Sequence, residues 1–135
     1  MTLLRYLWAA PATLVGIVLM IAARTLGARI RLVDGCVEVA GGCIGPVIAR
    51  LPGRCRFAAI TFGHVIIGID DETLAAARRH EQVHVRQYER LGILFFPLYV
   101  GSSLLQVLLR RDPYHDNFFE REACARSGEA QWTMR

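Results

Sequence analysis

The chain has 135 residues, room for one domain of ordinary size and not for two. Apolar residues make up 53% of it, above the roughly 45–50% usual in soluble domains, which excludes a disordered or low-complexity protein and points toward membrane contact. The formal charge of +4 comes from sixteen arginines, no lysine and twelve carboxylates; the arginines recur in ones and twos beside apolar stretches, not with interleaved aromatics on one face, so nucleic acid is set aside as a partner and membrane lipids are favoured.

Residues 6–23, YLWAAPATLVGIVLMIAA, run eighteen positions without a charge, bracketed by Arg5 and Arg24, with Tyr6 and Trp8 where an aromatic belt would sit. They predict a transmembrane or membrane-anchor helix, dividing the chain into an anchor, 1–27, and a domain, 28–135. A cleaved signal peptide is the competing reading, but the apolar run exceeds a usual h-region and no polar mature start follows it.

The period then changes. In Arg29-Ile30-Arg31-Leu32-Val33-Asp34-Gly35-Cys36-Val37-Glu38-Val39 a two-residue Asp-Gly turn sets Leu32 opposite Val37, Ile30 opposite Val39 and Arg31 opposite Glu38. One face is thereby apolar and the other carries an ion pair, which predicts a β-hairpin. Glycines and Pro46 punctuate the next stretch, a short strand is expected near 47–51, and Pro52-Gly53 turns the chain again. Residues 57–69, β-branched and aromatic, read as one strand with Ile60, Phe62, His64 and Ile66 on one face. Asp70 or Asp71 can cap a helix over about 72–91, which Gly92 stops. Residues 93–109 are again uncharged, borderline in length for a span, with Pro97 and Gly101 at the middle; a bent, re-entrant or interfacial helix, or a helical hairpin, is expected there. A last short helix is expected over 117–130. Cys36, Cys43, Cys55 and Cys124 form no C-x-x-C pair and read as buried free thiols.

The predicted helix carries His80-Glu81-Gln82-Val83-His84. Two histidines four apart project from the same helix face, close enough to share a Zn²⁺ through imidazole nitrogens, and the glutamate beside the first can take a proton from water and return it to a leaving amine. A strand and an acidic cap ahead of the helix suit this reading, since an edge strand there can hold an extended peptide by main-chain hydrogen bonds. A hydrolytic zinc needs three protein ligands and an open position, and the acidic residues after His84 are Glu89, Asp112, Asp116, Glu120, Glu122 and Glu129. His64, Tyr114 and His115 are candidates for transition-state or substrate contacts. Gln87 and Tyr88, continuing the motif helix, are expected to pack.

The stretch Asn117-Phe118-Phe119-Glu120-Arg121-Glu122-Ala123 resembles the downstream helix of minimal gluzincins, in which a glutamate in an E-x-x-A frame supplies the third zinc ligand. Together with His84-Val85-Arg86-Gln87-Tyr88 and Asp112-Pro113-Tyr114 it resembles a group of small bacterial membrane proteins of the zinc-metallopeptidase kind, over about residues 57–124. The resemblance implies Glu120 as third ligand, with Glu122 the alternative because Glu122-Ala123-Cys124-Ala125 satisfies the same frame. It departs at Phe118, where such helices often carry proline. What it implies is an α+β zincin with a small antiparallel sheet, located at the bacterial inner membrane and hydrolysing a peptide or protein substrate. A membrane-anchored module that keeps zinc but hydrolyses nothing is the alternative. If residues 93–109 crossed a bilayer once, the histidines and Glu120 would be separated by about 30 Å of hydrocarbon, so that segment is expected to bend at 97–101 and return, or to lie along the membrane surface or against the core.

Overall fold

A 24-residue helix, α1 (Thr2–Thr25), opens the chain of the computed structural model, which describes residues 2–53 and 57–128. It does not stand apart from the domain. Ala9, Gly16 and Ala23 are buried at seven-residue spacing, the period that keeps one helix face on a partner. Gly16 lets the backbone come close: a Cβ there would lie 2.6 Å from the Cβ of Val65.

The partner is a four-stranded sheet of β1 (Arg29–Val33), β2 (Cys36–Ala40), β3 (Ala59–Phe62) and β4 (Val65–Gly68), in the order β1-β2-β4-β3. β1 and β2 pair in the expected register, Ile30 with Val39, Arg31 with Glu38 and Leu32 with Val37, across Asp34 and Gly35, both at positive φ, the backbone that a tight Asp-Gly hairpin turn needs. The expected ion pair across that register does not form. Arg31 instead joins Arg29 on Asp71, while Glu38, buried at 3% exposure, takes two hydrogen bonds from Arg78; the helix packed over β2 reaches Glu38 where the exposed β1 edge does not.

Three further expectations are corrected. The sheet is mixed, not antiparallel, because β2 and β4 run parallel: the long connection after β2 carries the chain to the far edge before the β3–β4 hairpin brings it back. Residues 44–49, overlapping the expected strand at 47–51, form the helix α2 (Ile44–Ala49). The expected single strand over 57–69 breaks at Gly63, whose φ is +59° and whose Cβ would meet Thr13 of α1 at 2.2 Å, so the chain must turn where it meets that helix.

Strand alternation splits the core in two. Val39, Val65 and Ile67 pack with Ala23, Ile17 and Met20 of α1, and Cys36, Ala40 and Ile66 pack with Leu74 and Val85 of α3 (Asp71–Leu91). The sheet thus lies between α3 and the second half of α1, while nearer its start α1 packs directly on α3, Ala9 meeting Tyr88 in a cluster with Phe95 and Phe119. Asp70 caps α3 by accepting from the Thr73 amide, and Gly92 at φ 59° ends it, as expected from the sequence.

After α3 a 3-10 turn, Gly92–Leu94, leads into α4 (Phe95–Leu108). The bend therefore falls ahead of Pro97 and Gly101, and α4 runs through both. Pro97 is the third residue of the helix, a first-turn position whose missing N–H has no intrahelical partner to lose. The chain then doubles back along α4, Ser103 Oγ donating to the Pro113 carbonyl and Asn117 Nδ2 to the Tyr99 carbonyl, and ends in α5 (Phe118–Ser127), capped by Asn117. Residues 129–130 of the expected last helix lie outside the described residues. The fold is α+β with an N-terminal apolar helix, and two helical stretches, Leu3–Thr25 and Asp71–Leu108, are long and apolar enough to cross a membrane. Cys36 and Cys43 are free thiols, the first buried and the second exposed, and Cys124 is half-buried; Cys55 lies outside the described residues.

Candidate metal centre

Helix α3 has two buried faces. Leu74, Arg78, Glu81 and Val85 turn toward the sheet, while His80, His84 and Gln87, at i, i+4 and i+7, turn toward α5. α5 presents Glu120 to that second face. His80 Nε2 lies 3.0 Å from Glu120 Oε2, His84 Nε2 lies 3.4 Å from Glu120 Oε1, and the two Nε2 atoms are 3.2 Å apart. Three donors bound at about 2.0–2.1 Å in tetrahedral directions stand about 3.3 Å from one another. The residues fit: this buried group can hold a metal ion.

The surrounding contacts orient the donors. His84 Nδ1 lies 2.8 Å from Gln87 Oε1; an amide oxygen only accepts, so Nδ1 carries the proton and the Nε2 lone pair is left for the centre. Gln87, 1% exposed, is fixed in turn by donating to the Phe119 carbonyl and to Glu122 Oε2. The Tyr99 hydroxyl on α4 donates to Glu120 Oε1 at 2.6 Å, and Cys124 Sγ lies 3.9 Å from His80 Nδ1.

Glu81 faces β3. Its Oε2 accepts from the Thr61 hydroxyl at 2.7 Å, and burial, the largest influence, raises its pKa above the ordinary carboxylate value. For His80 and His84 burial works toward a lower pKa, but hydrogen bonding and charge from Glu120, with Glu81 adding, outweigh it and both are raised. Burial works to raise Glu120, yet its bonds to the two imidazoles and to Tyr99 hold it well below the carboxylate range. Without a metal the group behaves as a proton-sharing cluster in which the carboxylate is charged.

The other candidates lie elsewhere. Glu122 is outside the cluster because it is held by Gln87, Arg90 and Arg126. His64, placed at the β3–β4 turn, stacks on Tyr6 and reaches Glu89 and Thr13; that turn removes it from the strand face expected for it. His115 is paired to Asp112 in an exposed loop. Tyr114 lies in the same loop and is half exposed as a residue; burial on its inner side and then the negative charge of Glu120 and Glu81 push its pKa up. It is the member of that trio that approaches the cluster.

Three residues were not assigned their part from sequence. Gln87 was expected to pack, yet its i+3 spacing from His84 was the available signal. Thr61 and Tyr99 reach the site from a strand and from an apolar helix, and nothing in local pattern marks either. Phe118, standing at the proline position, uses its amide: it donates to Ser102 Oγ at 3.0 Å, a bond proline would forfeit.

No protein-family model matches the chain, and no curated protein and no solved structure matches it either.

Proposed function

We propose that the protein is a membrane-associated zinc metallopeptidase of the zincin type, with His80, His84 and Glu120 as zinc ligands and Glu81 as general base and acid. The observation that carries the reading is the convergence of three buried donors from α3 and α5 at metal-site spacing, beside a second buried carboxylate, Glu81, on α3. Two imidazoles and one carboxylate are a ligand set of catalytic zinc, whereas closed structural sites usually use thiolates. Bound there, the ion would supply Lewis acidity toward a water and a scissile carbonyl.

The chain's own groups do the rest. Glu81 takes a proton from the attacking water and delivers it to the leaving amine; its raised pKa suits both halves of that transfer. Thr61 fixes the orientation of that carboxylate. Tyr114, on the loop before α5, would donate to the oxyanion as it develops. β3, an edge of the sheet among the described residues, offers main-chain groups to an extended peptide. Membrane association is supported by the outward apolar residues of α1 and α4, among them Leu4, Leu14, Val18, Phe96 and Leu104. The nearly complete burial of His80, Glu81, His84 and Glu120 favours, as second reading, a module that binds the metal without hydrolysis.

Detergent-purified protein should carry one zinc per chain and the His80→Ala variant none. Glu81→Gln should keep the zinc and lose hydrolysis of a quenched-fluorescent peptide library, because the amide has the shape of the acid but takes no proton from water. Wild-type protein without stoichiometric metal under zinc-replete conditions would sink the metallopeptidase reading; zinc with no hydrolysis in either form would favour the binding module.

A further inference from the structure

Helix α4 is inside out. Tyr99, Ser102 and Ser103 on its inner face are all engaged, by Glu120, by the Phe118 amide and by Pro113 and Asn117. Phe96, Val100, Leu104 and Leu108, an i, i+4 row on the outer face, are 60%, 39%, 59% and 81% exposed. A water-facing helix shows the reverse arrangement. Fourteen residues at about 1.5 Å each reach about 21 Å, short of the about 30 Å of a hydrocarbon core. The helix carries no charge, and after its cap residue Leu109 come exposed Arg110 and Arg111. The adjacent Asp112 turns back onto the amides of Tyr114 and His115, which leaves the arginines to face anionic headgroups.

We propose that α4 lies in the plane of an anionic phospholipid surface, its outer row in lipid, and that Tyr99 on its inner face is the strut by which this membrane-docked helix holds the metal ligand Glu120. The inference rests on the membrane-associated, metal-binding reading above and adds where the membrane meets the site. A lipid partner fits better than a second copy of the chain: the row has no hydrogen-bonding group to orient a protein partner, and the arginines at its end match a negatively charged surface. It is also continuous with α1, since Trp8 of α1 covers Gly92 at the entrance to α4. Tyr99 is a positioning residue. Its hydroxyl fixes one oxygen of Glu120, so a displaced α4 leaves that carboxylate free to rotate off the imidazoles.

The test uses the full chain in vesicles of phosphatidylethanolamine with about one-third phosphatidylglycerol. Nitroxide labels are placed singly at 96, 100, 104 and 108, and at Leu7 of α1, in a background without the native cysteines. All four α4 labels should report the same shallow depth in lipid. In parallel, zinc retention against a chelator should fall about tenfold in Tyr99→Phe, the size of loss usual for an outer-shell partner, and by a similar factor in Leu104→Glu/Leu108→Glu, with the melting of the metal-free protein unchanged in the double glutamate variant, whose side chains make no contact with Glu120. A depth that increases steadily along α4 would overturn the in-plane helix, as would spin–spin broadening without lipid contact, which would indicate a second copy. Water exposure of all four α4 labels with Leu7 in lipid would overturn this inference and leave membrane association standing; water exposure at Leu7 as well would sink both. Zinc retention equal to wild type in Tyr99→Phe would remove the strut, and a wild type that holds no zinc would sink the metal reading together with it, the depth profile still deciding where α4 lies.

Discussion

Glu120 and Glu122 are two residues apart on α5, and a helix turns such neighbours about 200° from each other. Glu120 therefore enters the His80–His84 cluster while Glu122 meets Gln87, Arg90 and Arg126. Glu122 still reaches the centre indirectly, through Gln87 to His84. Glu120→Ala should lower zinc affinity by more than about a hundredfold and Glu122→Ala by about tenfold or less, since the second removes a support and not a ligand; chelator competition gives the ranking, and the reverse order would move the ligand by two residues. The protonation pattern adds a pH dependence. Glu120 is held below its ordinary 4.5, so its contribution to the metal-free fold is present above that value and is lost as pH falls through the lowered one. His80 and His84 are raised above 6.5, so theirs is complete below 6.5 and is lost as pH rises through the raised values. Glu81, raised above 4.5, likewise loses its contribution as pH rises, so metal-free protein should lose stability from about pH 4.5 toward alkaline pH, while zinc, which displaces the imidazole protons, should reverse the alkaline part of that slope. Melting curves with and without chelator decide it, and parallel slopes would contradict the assignment.

At the scale of elements, contacts between neighbours settle what each segment becomes. Residues 57–69 have the composition of one strand, but α1 lies across their middle, and only glycine at 63 passes Thr13 and turns with φ at +59°. Gly63→Ala should cost about 1–3 kcal/mol from the left-handed backbone alone, with the clash against α1 adding to it, read as a lower melting temperature of the detergent-solubilised protein. Unchanged melting would show that α1 draws back without loss. Similar reasoning explains α4. Pro97 is harmless in a first turn, so the change of direction falls at Gly92, where φ is positive and Trp8 leaves no room for a side chain. In the β1–β2 hairpin the register follows from the turn, but the charges select partners by reach: α3 lies over Glu38 and supplies Arg78.

For the whole molecule, the main consequence is that the N-terminal helix is a layer of the fold. Ala9, Gly16 and Ala23 face the domain, and Ile17 and Met20 help to close one side of the sheet, so lipid cannot surround α1 along that length. A chain beginning at residue 28 would expose Val39, Val65 and Ile67, each worth about 1.5–3 kcal/mol in burial, against a total stability of about 5–15 kcal/mol for an ordinary domain. The 28–135 fragment should accordingly fail to give a cooperative thermal transition, with or without zinc. A cooperative transition in that fragment would show that α1 is a detachable anchor.

Local chemistry fixed what depends on near neighbours in sequence. The Asp34-Gly35 turn dictated the β1–β2 register, Asp70 and Gly92 bounded α3, Asn117 capped α5, and the i, i+4 spacing of His80 and His84 put both imidazoles on one face, since each follows from backbone geometry over a few residues. The E-x-x-A resemblance favoured Glu120 and kept Glu122 as the alternative, and the packing of α5 on α3 brings Glu120 to the cluster. Tertiary structure alone decided the parallel pairing of β2 with β4, the turn at Gly63 that takes His64 to Glu89, the burial of one face of an apparently lipid-type helix, and the arrival of Thr61 and Tyr99 beside Glu81 and Glu120. Those contacts join residues 20 or more positions apart, and no periodicity within a single segment encodes which distant surface it will meet.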